Sequence, residues 1–125
     1  MLSVINVNEN IFNEKFPNTK IFQNDIIYLL NLNEKSIGYA AINEHNVYNI
    51  IRICILNEYQ GNRYGSYLFN EMLKIINKDI ILEIDIDNYK MIRIINRCKG
   101  KELRRNNKGV LFLIPQYNDR NNNKV

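Results

Sequence analysis

The stretch CILNEYQGNRYGSYLFNEM, from Cys54 to Met72, constrains this chain more than any other. An apolar, β-branched run ends at Leu56, and a polar cluster holding Gly61 and Gly65 follows. Leu68, Phe69, Met72, Leu73, Ile75 and Ile76 then recur at helical spacing. A strand that passes through a glycine turn into a helix start leaves a row of outward-pointing backbone N–H groups. Such rows bind phosphate. The spacing predicts a strand before the turn, a helix over Gly65 to Ile76, and an anion-binding segment between them.

The surroundings of this unit are legible in the same way. DIIYLLNL (Asp25 to Leu32), SIGYAAIN (Ser36 to Asn43) and VYNIIRICIL (Val47 to Leu56) are rich in β-branched and aromatic residues and are separated by short polar turns. They predict a meander of antiparallel strands. After the helix, DIILEIDID (Asp79 to Asp87) alternates apolar with acidic residues, as a strand with one wet face does. A second helical pattern from Asn88 to about Cys98 buries Met91, Ile92, Ile94 and Ile95, and GVLFLIP closes the chain as a last strand ended by Pro115. The basic run KGKELRRNNKG, Lys99 to Gly109, reads as a solvated loop between that helix and that strand.

A length of 125 residues with 46% hydrophobic and 24% charged residues suits one core, which places a single domain over residues 1–117 and a polar, disordered tail over 118–125. Asn and Ile are heavily used but scattered, which is a bias of composition and says little about function. Cys54 and Cys98 form no CxxC pair, and a single His leaves no zinc constellation, so no metal is expected. Cys54, inside an apolar strand, reads as core packing. No signal-peptide pattern or membrane-length apolar run interrupts the sequence, and the expectation is a reduced cytoplasmic protein with no membrane partner. The net charge of +4 fits an anionic ligand.

From about Ser36 to Ile114 the chain resembles the GNAT superfamily of N-acetyltransferases. ILNEYQGNRYGSYLFNEM matches that family's strand, Q-x-x-G-x-G/A turn and helix through Gln60, Gly61, Gly65 and Ser66. LEIDIDNYKMIRIINRCKG is similar to its second motif, a strand followed by Asn and a helix, through Leu82, Glu83, Ile84 and Asn88. The resemblance implies an α/β (α+β) fold with a mixed, mostly antiparallel sheet, a splayed central strand pair and flanking helices. It implies acetyl-CoA as cofactor, with its pyrophosphate on the backbone of Gln60, Gly61, Asn62, Arg63, Tyr64, Gly65 and Ser66. The pantetheine arm would pair with the backbone of Ile53 and Ile55, and Asn88 would sit beside it. The activity implied is acetyl transfer to a primary amine: a small molecule, a protein lysine or a protein N-terminus. A monomer or homodimer is expected.

Three positions depart from the family pattern. Arg63 stands where the family has its middle glycine, so either the grip on phosphate weakens or the guanidinium pairs with a cofactor oxygen. Ile95 stands where a Tyr commonly protonates the leaving thiolate, and Asn49 where some members carry a Glu base. For proton removal from the amine the chain offers Glu44 and Glu58, with His45, Glu83, Asp85 and Asp87 beside them, and Tyr89, Tyr64 and Cys98 could each stand in for the missing acid. Two other readings compete: a GNAT-like CoA-binding or interaction module that has lost catalysis, and a nucleic-acid-binding domain using the basic run. The second is the weaker, because that run has no interleaved aromatics.

Overall fold

The computed structural model describes residues 1–116, so the expected tail at 118–125 lies outside the described residues. The elements run β1 (Leu2–Val7), α1 (Glu9–Lys15), β2 (Ile26–Leu32), β3 (Lys35–Glu44), β4 (Tyr48–Ile55), a 3-10 turn (Asn57–Tyr59), α2 (Tyr64–Ile75), β5 (Asp79–Ile84), α3 (Tyr89–Arg97), β6 (Lys101–Asn106) and β7 (Gly109–Ile114). One seven-stranded sheet has the order β1-β2-β3-β4-β5-β7-β6. Every neighbouring pair is antiparallel except β4 and β5. The expected meander, glycine turn, helix, strand, helix and closing strand are all present. The basic run is not the loop the sequence suggested: Lys101–Asn106 is an edge strand hairpinned onto β7, and every one of its side chains is exposed. A strand with no buried face carries no alternation to read.

Burial follows from position in the sheet. β3 sits between β2 and β4 and is buried from Ile37 to Ile42, which is why IGYAAI is apolar at successive positions rather than alternate ones. One face of the sheet joins Ala40, Ile42, Ile51, Ile55, Ile80 and Leu82 to Leu68, Phe69 and Met72 of α2 and Met91 and Ile95 of α3. On the other face Phe12 and Phe16 of the α1 segment pack on Ile27, Leu29 and Tyr39 of β2 and β3, and Phe22 and Asp25 of the connection that follows reach Arg52 of β4. The ring of Tyr39 meets Phe12 and Phe16 edge-on at 5.0 and 5.2 Å. In α3 the stripe is narrower than expected, since Met91 and Ile95 are buried while Ile92 and Ile94 only border the core. Cys54 corrects the sequence reading more sharply. It is exposed, because among the described residues the α1 segment does not reach that position of β4.

The connection between α1 and β2 is fastened to the sheet by one ion pair. Arg52 of β4 donates from Nη2 to Asp25 Oδ2 at 2.7 Å, and the Asp25 side chain is fully buried. Asn43 Nδ2 and the Phe22 amide donate to the same carboxylate at 3.0 and 2.8 Å. Burial pushes the Asp25 carboxyl up, but the donors from Arg52, Asn43 and Phe22 outweigh it and hold it below its ordinary value of 3.8. A depressed carboxylate contributes stability above its unfolded pKa and loses that contribution as pH falls through the native value. Asp25→Asn is therefore expected to cost about 1–3 kcal/mol at neutral pH by stranding Arg52. In urea titrations the gap between variant and wild type should narrow as pH falls below about 4, near the ordinary carboxylate value. A gap constant with pH would remove Asp25 as the acid-sensitive fastening.

Candidate active site

β4 and β5 pair at only three couples, Tyr48–Asp79, Asn49–Ile80 and Ile50–Ile81. Beyond these, β4 continues to Ile55 and β5 to Ile84 without pairing to each other, so the middle of the sheet opens into a cleft. The backbone lining it can be oriented from a single bond. Leu56 N–H donates to Ile37 O at 2.9 Å across β3 and β4, and antiparallel partners alternate between bonded and non-bonded couples. Given the register of Ala40 with Ile53 and Gly38 with Ile55, the residues that turn their N–H and C=O away from β3 are Ile53 and Ile55. Both face the cleft. Ile55 O accepts from Gln60 Nε2 at 2.9 Å, so Gln60 ties the turn to the end of the strand. Ile53 keeps both groups for the opening.

The turn after β4 delivers α2 to the cleft with an uncapped end. Asn8 caps α1 through Ile11 N–H at 2.9 Å, and Asn88 caps α3 through Met91 N–H at 3.2 Å. No side chain caps α2, and its first intrahelical bond is Tyr67 N–H to Arg63 O at 3.0 Å, leaving the N–H groups of Tyr64, Gly65 and Ser66 unpaired. Those donors and the positive end of the helix dipole form an anion site. Gly61 has φ +84, a conformation that favours glycine. Arg63 has φ 68, also left-handed, at the N-cap of α2. The missing glycine of the motif is thus missing at a position whose backbone calls for one. Ser66 Oγ lies 3.7 Å from Met91 Sδ, which joins the first turns of α2 and α3 and brings Asn88 to the same end of the cleft.

The catalytic candidates from the sequence do not gather there. Glu44 precedes β4 and lines a cavity of about 240 Å³ with Asn49 and Lys78 on the α2 face. Glu58 is exposed in the 3-10 turn at the other end of β4, and Tyr89 is 70% exposed at the start of α3. Asn49 is buried on the α2 face and its Oδ1 has no partner. Ile95 is fully buried core, so no proton donor stands at the usual helix position. His45 stacks on Tyr48 at 4.9 Å in the turn before β4.

The open face of the sheet carries other charged side chains beside the cleft. Ile50 and Ile81 are the last couple, so Arg52 and Glu83, two residues further along each strand, share one face on opposite lips of the cleft. Glu83 is ion-paired to Arg104 at 2.9 Å and still about half exposed. Burial first, then the Cys54 thiol next to it, push the Tyr39 phenol up, so it keeps its proton at neutral pH. The pairing of Arg52 with Asp25 was not legible from the sequence, because the two are 27 positions apart with no shared motif. In β6, Arg104 is paired to Glu83 and Arg105 to Glu102, which dismantles the basic run as a continuous positive surface.

Comparison with known proteins agrees with this geometry. The GNAT acetyltransferase family model matches residues 6–100, and the chain belongs to that family. Its activity class is acyl transfer, with acetyl-CoA as the donor. No curated protein matches the chain. Among solved structures, the ribosomal-protein-S18-alanine N-acetyltransferase from Escherichia coli aligns with TM-score 0.70 and 13% identity, covering 93% of this chain and 94% of that one. A dodecameric spermidine N-acetyltransferase from Vibrio cholerae gives 0.71 and 15%, covering 99% and 98%. A GNAT family acetyltransferase from Elizabethkingia anophelis with acetyl-CoA bound gives 0.63 and 10%, covering 91% and 97%. No helix among the described residues is long and apolar enough to cross a membrane.

The left-handed Arg63 makes a prediction of its own. A non-glycine residue pays about 1–2 kcal/mol there, against about 0.5–1 kcal/mol of extra chain entropy for glycine. Arg63→Gly should therefore raise stability by about 0.5–1 kcal/mol, measured as an upward shift of the urea midpoint at constant slope. A lower midpoint would mean that the Arg63 side chain contributes more than its backbone costs.

Proposed function

We propose that this protein transfers the acetyl group of acetyl-CoA to a primary amine, and that the cleft between β4 and β5 is where it does so. One observation carries the reading: the uncapped N-terminus of α2 and the unpaired backbone of Ile53 flank the same opening. In this reading the N–H groups of Tyr64, Gly65 and Ser66 take the pyrophosphate, with Gly61 and Asn62 shaping the turn and Gln60 holding it to β4. The Ile53 C=O and the Ile55 N–H pair with the pantetheine arm as an added strand would, and Asn88 closes the far side. Acetyl-CoA supplies an acetyl group already activated as a thioester. The chain supplies position, which is worth about 7–11 kcal/mol of barrier in well-oriented reactions, and a donor for developing charge on the acetyl oxygen, for which Ile53 N–H is placed.

The proton of the incoming ammonium goes to a carboxylate at the mouth or to water. Glu83 is the carboxylate on the open lip; its partner Arg104 lies across β7, on the side away from β4, so Glu83 turns from that pair to take the proton. A second reading, a CoA-binding module without turnover, is favoured by the burial of Ile95 where a proton donor is usual. Turnover against a panel of amines separates the two.

Three outcomes are expected. CoA binds the wild type in calorimetry, and Gly65→Val weakens it at least tenfold. The fold should tolerate that change, since a Cβ at Gly65 meets only the Ile55 side chain at 3.8 Å. Absence of binding at millimolar CoA would sink the proposal. Glu83→Gln lowers kcat/KM by about 10²-fold with CoA affinity unchanged, as the loss of a general base does. An unchanged kcat/KM would return proton removal to water, with a rate profile that follows the pKa of the amine offered.

A further inference from the structure

The reading above leaves Arg52 without a role in acetyl transfer, and its surroundings are unusual for a mere fastening. Its Nη2 is satisfied by Asp25 at 2.7 Å, while its Nη1 is buried and has no hydrogen-bond partner. The ring of Phe22 lies over the guanidinium, 4.3 Å from ring centroid to Cζ. Phe22 itself is 61% exposed. A buried charged donor without a partner is costly, and a structural tie between the α1–β2 connection and the sheet needs only the Asp25 contact. The geometry points to a donor kept in reserve for an oxyanion that arrives with the substrate.

Resting on the acetyltransferase reading, we propose that Arg52 selects acceptors in which the reacting amine carries a carboxylate a few bonds away: amino carboxylic acids rather than simple amines. Arg52, beneath the Phe22 ring, and Glu83 occupy the two lips of the cleft on the face away from α2 and α3, one cationic and one anionic. Where they last pair, the strands stand about 4.8 Å apart, and the lips lie wider. A molecule with ammonium and carboxylate on one short backbone spans that gap with each charge facing its opposite. The ammonium meets Glu83, beside the vertex where the acetyl group would lie, and the carboxylate reaches Nη1, buried at rest, by displacing the exposed Phe22 ring. A planar guanidinium edge matches a carboxylate better than it matches a neutral or cationic group. A polyamine acceptor would place a second positive charge against Arg52, which the same geometry disfavours.

The test uses pairs that differ only in the carboxylate: β-alanine against ethylamine, and lysine against cadaverine. The wild type should favour the acid in each pair by at least tenfold in kcat/KM. Arg52→Met should bring the ratio close to one, and Arg52→Lys, which keeps charge without the planar edge, should fall between. Circular dichroism checks that each variant folds. Binding gives a readout independent of turnover: N-acetyl-β-alanine should bind the wild type more tightly than N-ethylacetamide, and Arg52→Met should erase the difference. Equal affinity of the wild type for the two products overturns the Arg52 proposal, as does an undiminished preference in Arg52→Met. Failure of CoA to bind overturns the acetyltransferase reading instead, and the product comparison then still decides whether Arg52 holds a carboxylate.

Discussion

The parting of β4 from β5 after three couples is the constraint on which the rest depends. A sheet that stayed paired would satisfy the backbone of Ile53 internally and leave no opening. Because the strands separate, main-chain groups in the middle of the sheet face outward, and the fold tolerates this only where water or a ligand can meet them. The same separation puts Arg52 and Glu83 on facing lips and brings the bare first turn of α2 to one end of the gap. The packing beneath keeps the separation fixed. Ile51 and Ile55 on one strand and Ile80 and Leu82 on the other are buried against α2 and α3, so the cleft has a rigid floor.

The two faces of the sheet divide the work. The α2 and α3 face is core, and the residues it takes, including Ile95 and Asn49, are removed from chemistry by burial. Among the described residues the α1 face is covered over β2, β3 and the Arg52 position of β4, which leaves the rest of the β4–β5–β7 portion for an acceptor to approach. In the proposed reading, proton transfer and acceptor recognition therefore belong to side chains on that open face, while cofactor contacts belong to backbone. This division explains why a chain lacking the common helix Tyr, the strand Glu and the middle glycine retains the family's architecture. Backbone donors do not depend on which side chains drift.

What the sequence made legible follows from the same physics. DIIYLLNL, SIGYAAIN and VYNIIRICIL are long and strongly patterned, and QGNRYGS pairs turn residues with a helix start, so strands, turn and helix were all readable. β6 was not, because KELRRN buries nothing and its composition is that of a solvated loop. β1 and α1 passed unread, since LSVINV is short and partly wet and ENIFNEK buries only Phe12. Cys54 was misread because strand composition reports burial on average and not whether a neighbouring element covers that face. The Arg52–Asp25–Phe22 cluster had no local signal at all, its members being joined only by the fold.

The measurement that tests the central claim most directly is a titration of CoA into uniformly ¹⁵N-labelled protein, followed by backbone amide shifts. The account predicts that the largest changes fall on Ile53, Ile55 and the run Gly61 to Ser66, with Asn88 following and β1 unmoved. Changes centred on β6, or on the cavity beside Glu44 and Asn49, would place the cofactor outside the β4–β5 cleft and contradict the account.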